Sequence, residues 1–188
     1  MTRRRARAPR EPAGLPAGTV MRPMTGSDVE TVVALERVLF PGEAWSRELI
    51  ASEVAASCAQ VPDRRYLVVE RDSPQGPTLL GYSGLWFGDG KGDADLLSIA
   101  TVLAARRQGI ASAMLTELVS TAREAGCRAV LLEVRESNLA ARSLYARHGF
   151  EPIGTRRRYY LAPLEDAVVM RLPLQPGAQP GPVGAEHL

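Results

Sequence analysis

Apolar residues recur at helical spacing over Val29, Val32, Val33, Leu35, Leu39 and Phe40. That stripe fits one face of a 3.6-residue period. Thr25-Gly-Ser-Asp28 stands just before it, a hydroxyl followed three residues later by an acid, the pattern of a capping box. Pro41-Gly42 ends the helix, and Ser46 is placed to cap a second one running to about Ser57. The pattern then changes. Tyr66–Glu70 and Leu79–Trp86 predict strands, with Ser73-Pro-Gln-Gly-Pro77 as the turn between them. A further strand runs from about Ala94 to Val102. A helix follows from near Gly109 to Gly126, which sits at the expected C-terminal stop. Ala129–Val134 has the continuous apolar character of a buried strand. Asn138 caps a last helix, ended by His148-Gly149. Glu151–Tyr160 and Ala167–Leu172 are the final strands, and Val20–Arg22 is the first.

The order is therefore β-α-α-β-β-β-α-β-α-β-β. Three consecutive strands in the middle require an antiparallel meander, and the helix after them makes the next pair parallel. The expected fold class is α/β: a single domain over residues 20–174, with a mixed, mostly antiparallel sheet of about seven strands and helices on both faces. Residues 1–19 and 175–188 are rich in Pro, Gly and, at the N-terminus, Arg. They read as disordered tails. Met21 is itself a plausible start, because the periodic sequence begins there.

Composition narrows the class. The chain has 188 residues, 45% hydrophobic but only 5% aromatic, so its core is mostly aliphatic. No apolar run is long enough to span a membrane. Cys58 and Cys127 are too few for a disulfide framework, and they read as two buried thiols in a reducing, cytoplasmic setting. With only His148 and His187 as histidines, no metal site is expected. The net charge of +2 hides an asymmetry: residues 1–19 hold five arginines against Glu11, a sum of +4, which leaves −2 for the rest. Nucleic-acid binding is thus not expected of the body, only weakly of the Arg-rich tail.

Two stretches carry chemistry. In Leu96–Ser112 a strand runs into a short basic loop and then into a helix whose first turn contains Gly109 and Ala111. Helix-start amides lack internal partners and favour anions. Small residues let a phosphate approach the backbone. On spacing alone, an ordinary helix start with a surface pair, Arg106 and Arg107, reads equally well. In Leu131–Glu151, Asn138 and Tyr145 lie seven residues apart, about two turns or roughly 10 Å along one helix face. Asn138 could be a cap and nothing more, and Tyr145 could be core. Glu133 interrupts an apolar strand, where a carboxylate is costly unless paired or functional. An edge position paired with Arg135 is the plain alternative.

The spacing Arg106-x-x-Gly109-x-Ala111 resembles the coenzyme A pyrophosphate loop of the Gcn5-related N-acetyltransferases. Val102-Leu103-Ala104 stands where that family often has a proline. The segment from Leu131 through Glu133, Asn138 and Tyr145 to Gly149-Phe150 resembles the family's second conserved stretch. Glu133, Arg157-Arg158-Tyr159-Tyr160 and Ala44-Trp45-Ser46 resemble its ribosomal-protein-alanine branch, although that branch usually has Pro at the place of Ala44. The resemblance covers residues 20–174. It implies acetyl-coenzyme A as co-substrate, held by Arg107, Gln108, Gly109, Ile110, Ala111 and Ser112 at the diphosphate. Ile99, Ala100 and Thr101 would lie along the pantetheine arm, with Asn138 nearby. It implies Glu133 as general base, Tyr145 as acid to the leaving thiolate, and a strand amide near Thr101 as oxyanion donor. Trp45, Tyr159 and Tyr160 would line the acceptor groove, and packing of a loop on the sheet accounts for these aromatics equally well. The implied acceptor is the N-terminus of a ribosomal protein, with a monomer or homodimer as the working unit. A lysine or small-amine acetyltransferase and a non-catalytic acyl-coenzyme A module are the other readings.

Overall fold

A computed structural model describes residues 14–74 and 76–174. The tail expectations for residues 1–13 and 175–188 lie outside the described residues, as does Gln75 in the expected turn. Strand β1 (Thr19–Pro23) leads into a 3₁₀ turn (Gly26–Asp28) and helix α1 (Val29–Leu39). Asp28 accepts a hydrogen bond from Thr25 N–H at 2.8 Å, the acid half of the expected capping box. Helix α2 (Arg47–Ser57) starts at Ser46, whose hydroxyl accepts from Leu49 N–H at 3.1 Å. Strands β2 (Arg64–Arg71), β3 (Thr78–Trp86) and β4 (Ala94–Thr101) form the meander. Helix α3 (Ile110–Ala125) ends at Gly126, which takes φ 98° and can do so without steric cost. Strand β5 (Ala129–Arg135), helix α4 (Leu139–Arg147) and the hairpin β6 (Glu151–Leu161) and β7 (Leu164–Pro173) complete the domain.

The seven strands are ordered β1-β2-β3-β4-β5-β7-β6. Every neighbouring pair is antiparallel except β4 and β5, as the sequence predicted. Two apolar layers flank the sheet. One joins Ile110, Met114, Leu118 and Ala122 of α3 to Val130, Leu132 and Val134 of β5. The other joins Val29, Val32 and Val33 of α1 and Ile50 and Val54 of α2 to Tyr66, Val68, Tyr82 and Ala100.

The body begins earlier than residue 20. Thr19 pairs with Arg71 in the β1–β2 ladder, and Leu15 packs against the α3-side core. A chain starting at Met21 would lose both. The thiols also depart from expectation: Cys127 is buried but Cys58 is exposed, since it caps the C-terminal end of α2 where the helix meets solvent. Among the described residues, no helix is long and apolar enough to cross a membrane.

Candidate active site

The site begins with a gap in the sheet. Strands β4 and β5 pair at only two positions, Ala94 with Val130 and Asp95 with Leu131. Beyond these the two strands diverge: β4 continues with β3 as far as Thr101, and β5 continues with β7 as far as Arg135. Val102 N–H donates to Leu80 O at 2.9 Å, so by ladder alternation Ala100 also turns its backbone groups toward β3. Ile99 and Thr101 therefore turn theirs toward the gap. A cleft of about 1540 Å³ opens there. It is lined by Ile99, Ala100 and Thr101 from β4 and by Glu133 from β5, with Asn138 just before α4 and Tyr145 within it.

One end of the cleft is the start of α3. Gly109 is the N-cap at φ 84°, and Arg107 two residues earlier sits at φ 63°, a costly conformation for a residue with a side chain. The amides of residues 107–112 have no acceptor among the described residues. A turn of this kind gathers N–H groups into an anion-binding concavity, and the helix dipole adds to it. Arg106, Arg107, Gly109, Ile110, Ala111 and Ser112 line the cleft there. Gln108 does not; its side chain bonds Ala104 O at 3.1 Å and accepts from Arg71 at 3.4 Å. Ser112 and His148 share a hydrogen bond of 2.7 Å, which fastens the start of α3 to the end of α4. Burial, with the Arg147 charge in support, pushes the His148 imidazole below its ordinary value.

The other end gathers acids and aromatics. Glu133 is half-buried, with Oε1 3.0 Å from Arg156 Nη2. It does not pair with Arg135, which instead reaches Glu43 at 2.6 Å and Glu165 at 2.9 Å. The Arg135 guanidinium lies 4.2 Å over the Tyr160 ring. Tyr160 in turn donates to Glu133 O at 3.4 Å and meets Tyr159 edge-on at 5.1 Å. Trp45, Tyr159 and Tyr160 all line the cleft. Tyr145 is both things the sequence allowed: its ring is core, 6% exposed and 5.8 Å from Phe150, yet it borders the cleft. Among the described residues its hydroxyl has no hydrogen-bond partner, and burial pushes its pKa well up. Asn138 caps α4, accepting from Ala141 N–H at 3.1 Å, which occupies its carbonyl oxygen.

Two cleft residues escaped the sequence reading. Arg156 was expected in a solvated strand end. It pairs with Ala167, which lies opposite Arg135, so ordinary register puts it on the face of β5 that carries Glu133, and its guanidinium reaches that carboxylate. Glu36 lies buried in α1, with its carboxylate accepting from Tyr82 hydroxyl at 2.6 Å and Trp45 N–H at 3.2 Å. Its signal was present: it falls on the apolar stripe of α1, three residues after Val33 and four before Phe40.

A split sheet with an anion-binding helix start at one side and a carboxylate and a buried phenol at the other defines an α/β enzyme built for acyl transfer. The comparisons with known proteins agree. The profile of the Acetyltransferase (GNAT) family matches residues 30–150, and the chain belongs to that family. The N-alpha-acetyltransferase RimI of Mycobacterium tuberculosis is 32% identical over 154 residues, 79% of this chain and 88% of that one. The crystal structure of the ribosomal-protein-S18-alanine N-acetyltransferase from Escherichia coli superposes with TM-score 0.69 at 24% identity, covering 88% of this chain and 97% of that one. Arabidopsis thaliana NAA60, solved in complex with acetyl-CoA, gives TM-score 0.72 at 21% identity over 83% of this chain and 99% of its own. The protein is an N-acetyltransferase of the RimI type.

Proposed function

We propose that this enzyme uses acetyl-coenzyme A to acetylate the α-amine of a protein N-terminus, an alanine of a small-subunit ribosomal protein. The supporting observation is the divergence of β4 from β5. It opens one cleft onto Glu133, Tyr145 and the start of α3 at Arg107, Gly109, Ile110, Ala111 and Ser112. The lining suits the coenzyme. The unpaired amides and Arg106 and Arg107 match a diphosphate, and the backbone groups of Ile99 and Thr101 match the amides of a pantetheine arm. Thr101 Oγ1 is buried with no partner of its own. The relatives named for alanine N-acetylation and N-alpha-acetylation support the acceptor.

The coenzyme supplies an activated acyl thioester. Glu133 takes the proton from the incoming amine. Arg156 beside it fixes the carboxylate's direction. Tyr145 hands its phenolic proton to the departing sulfur, a role for which burial keeps the proton in place. A backbone N–H of β4 near Thr101 donates to the developing oxyanion. No cysteine–histidine pair lies in the cleft lining, so transfer is direct.

Magnitudes favour an α-amine. An α-amino group titrates near ~7.7–8.0 and lysine near ~10.4, so baring the amine at pH 7 costs about 1 kcal/mol for the first and about 4–5 for the second. One carboxylate tethered to Arg156 suffices for the smaller task.

Glu133→Gln tests the reading. Turnover of an alanine-initiated peptide should fall by about 10²-fold or more, while calorimetry finds coenzyme affinity unchanged. An unaltered kcat would remove Glu133 from the mechanism.

A further inference from the structure

Resting on the acceptor reading above, we infer that Glu36 is the docking carboxylate for the acceptor's charged amine, distinct from the base that later deprotonates it. Three charged residues of the described body are buried: Asp28, Arg171 and Glu36. The first two have opposite charges beside them, Arg22 at 2.8 Å from Asp28 and Asp93 at 3.6 Å from Arg171. Glu36 is the most deeply buried of the three, at 3% exposure, and has no ion pair among the described residues. Its two hydrogen bonds come from neutral donors, the Tyr82 hydroxyl and the Trp45 amide. A buried charge with only neutral partners is costly and awaits a cation.

Glu36 also stands in the right place. It borders the cleft together with Phe40 and Trp45. Tyr82, its partner on β3, belongs to the apolar layer under α1 and α2. Strand alternation puts Glu133 on that same face, because Val130, Leu132 and Val134 point into the opposite layer under α3. The two carboxylates thus border one acceptor chamber from two elements. Glu133 is already neutralised by Arg156; Glu36 is not. A primary ammonium fits such a site, since the carboxylate supplies the opposite charge that its neutral partners do not. The division of labour follows. Glu36 selects and orients the protonated amine, and Glu133 receives the proton as the amine turns toward the thioester.

The test is calorimetry on enzyme saturated with coenzyme A, using an alanine-initiated peptide and the same peptide with an α-hydroxyl in place of the amine. Wild type should prefer the amine by about tenfold or more, the range of one hydrogen bond to a charged group. Glu36→Gln, whose amide oxygen can accept from Trp45 N–H while its N–H donates to the Tyr82 hydroxyl, should lose that preference. It should raise the peptide KM by a similar factor while leaving coenzyme affinity unchanged, and Glu36→Asp should recover part of it. An unchanged preference and KM in Glu36→Gln overturn the proposal while leaving the acetyltransferase reading intact. A wild type that acetylates no α-amine overturns both. Should Glu36→Gln fail to fold, Glu133→Gln decides: a retained amine preference supports Glu36 as its source, and a lost one overturns it.

Discussion

Tyr145 shows how one side chain serves packing and chemistry together. Its ring is seated in the α3-side core, so the phenol cannot wander, and burial holds its proton far above the usual tyrosine range. Two consequences follow. Tyr145→Phe should lower kcat by about tenfold to 10²-fold, the low end of general-acid effects, because a thiolate is a modest base. Stability should change little, since the ring stays and its hydroxyl has no described partner to lose. Because the pKa is raised, the acid form persists upward in pH, so the kcat profile of wild type should show no falling alkaline limb up to about pH 10. A limb near pH 8 that vanishes in Tyr145→Phe would contradict this. At the same scale the sequence was readable in part. Glu133 stood out as a charge in an apolar strand, and Gly109 as the small residue a helix start needs. Arg156 did not, because what brings it to Glu133 is the register of three strands, Arg156 opposite Ala167 and Ala167 opposite Arg135, which no local pattern announces. Glu36 is legible as an acid on the apolar helical stripe, between Val33 and Phe40.

The elements place these residues, and the start of each helix carries much of the placement. Asp28, 5% exposed, receives two bonds from Arg22 at 2.8 Å and one from Thr25 N–H. Arg22, first of all, holds its carboxyl below the ordinary value of 3.8. The folded carboxylate therefore binds a proton less readily than the unfolded one. Its contribution is whole above about pH 4 and is lost as the pH falls through the depressed value. Asp28→Asn should cost about 1–2 kcal/mol at neutral pH, since Arg22 is partly exposed and keeps Glu70 as a partner. The gap should narrow in urea titrations repeated below pH 4, and a gap that widens there would refute the assignment. Gly109 governs the start of α3. A side chain there would be strained at φ 84° and would also meet Gly14 O at 2.8 Å. Gly109→Ala should cost about 1–2 kcal/mol, or roughly 2–8 °C in Tm for a chain of this size, and weaken coenzyme affinity as the loop shifts. An unchanged Tm would show that the loop relaxes freely.

For the whole molecule, the sequence of elements, the central meander and the placing of helices on both faces were legible because helical and strand periodicities switch cleanly along the chain; the insertion of β7 between β5 and β6 was not. The parallel pairing of β4 with β5 followed from the helix between them. What did not follow was how briefly they pair. Two residue pairs rather than a full ladder turn an ordinary sheet into a split one, and that is decided by how α3 and α4 pack on one face and α1 and α2 on the other. The ties across the cleft were likewise invisible in sequence. Arg135 joins Glu43, 92 residues away, to Glu165, 30 residues away, and so links the α1–α2 loop to the terminal hairpin. The functional claim thus belongs to this scale: a split sheet delivers a thioester from the α3 side to an amine held on the α1 side. A single competition assay addresses it. Enzyme and acetyl-coenzyme A are mixed with an alanine-initiated peptide and with a lysine peptide whose N-terminus is blocked, and acetylated products are counted by mass spectrometry. The α-amine should be acetylated at least about tenfold faster at pH 7, given the ~3 kcal/mol difference in baring the two amines. Equal rates on both peptides, or no product on either, would contradict the account.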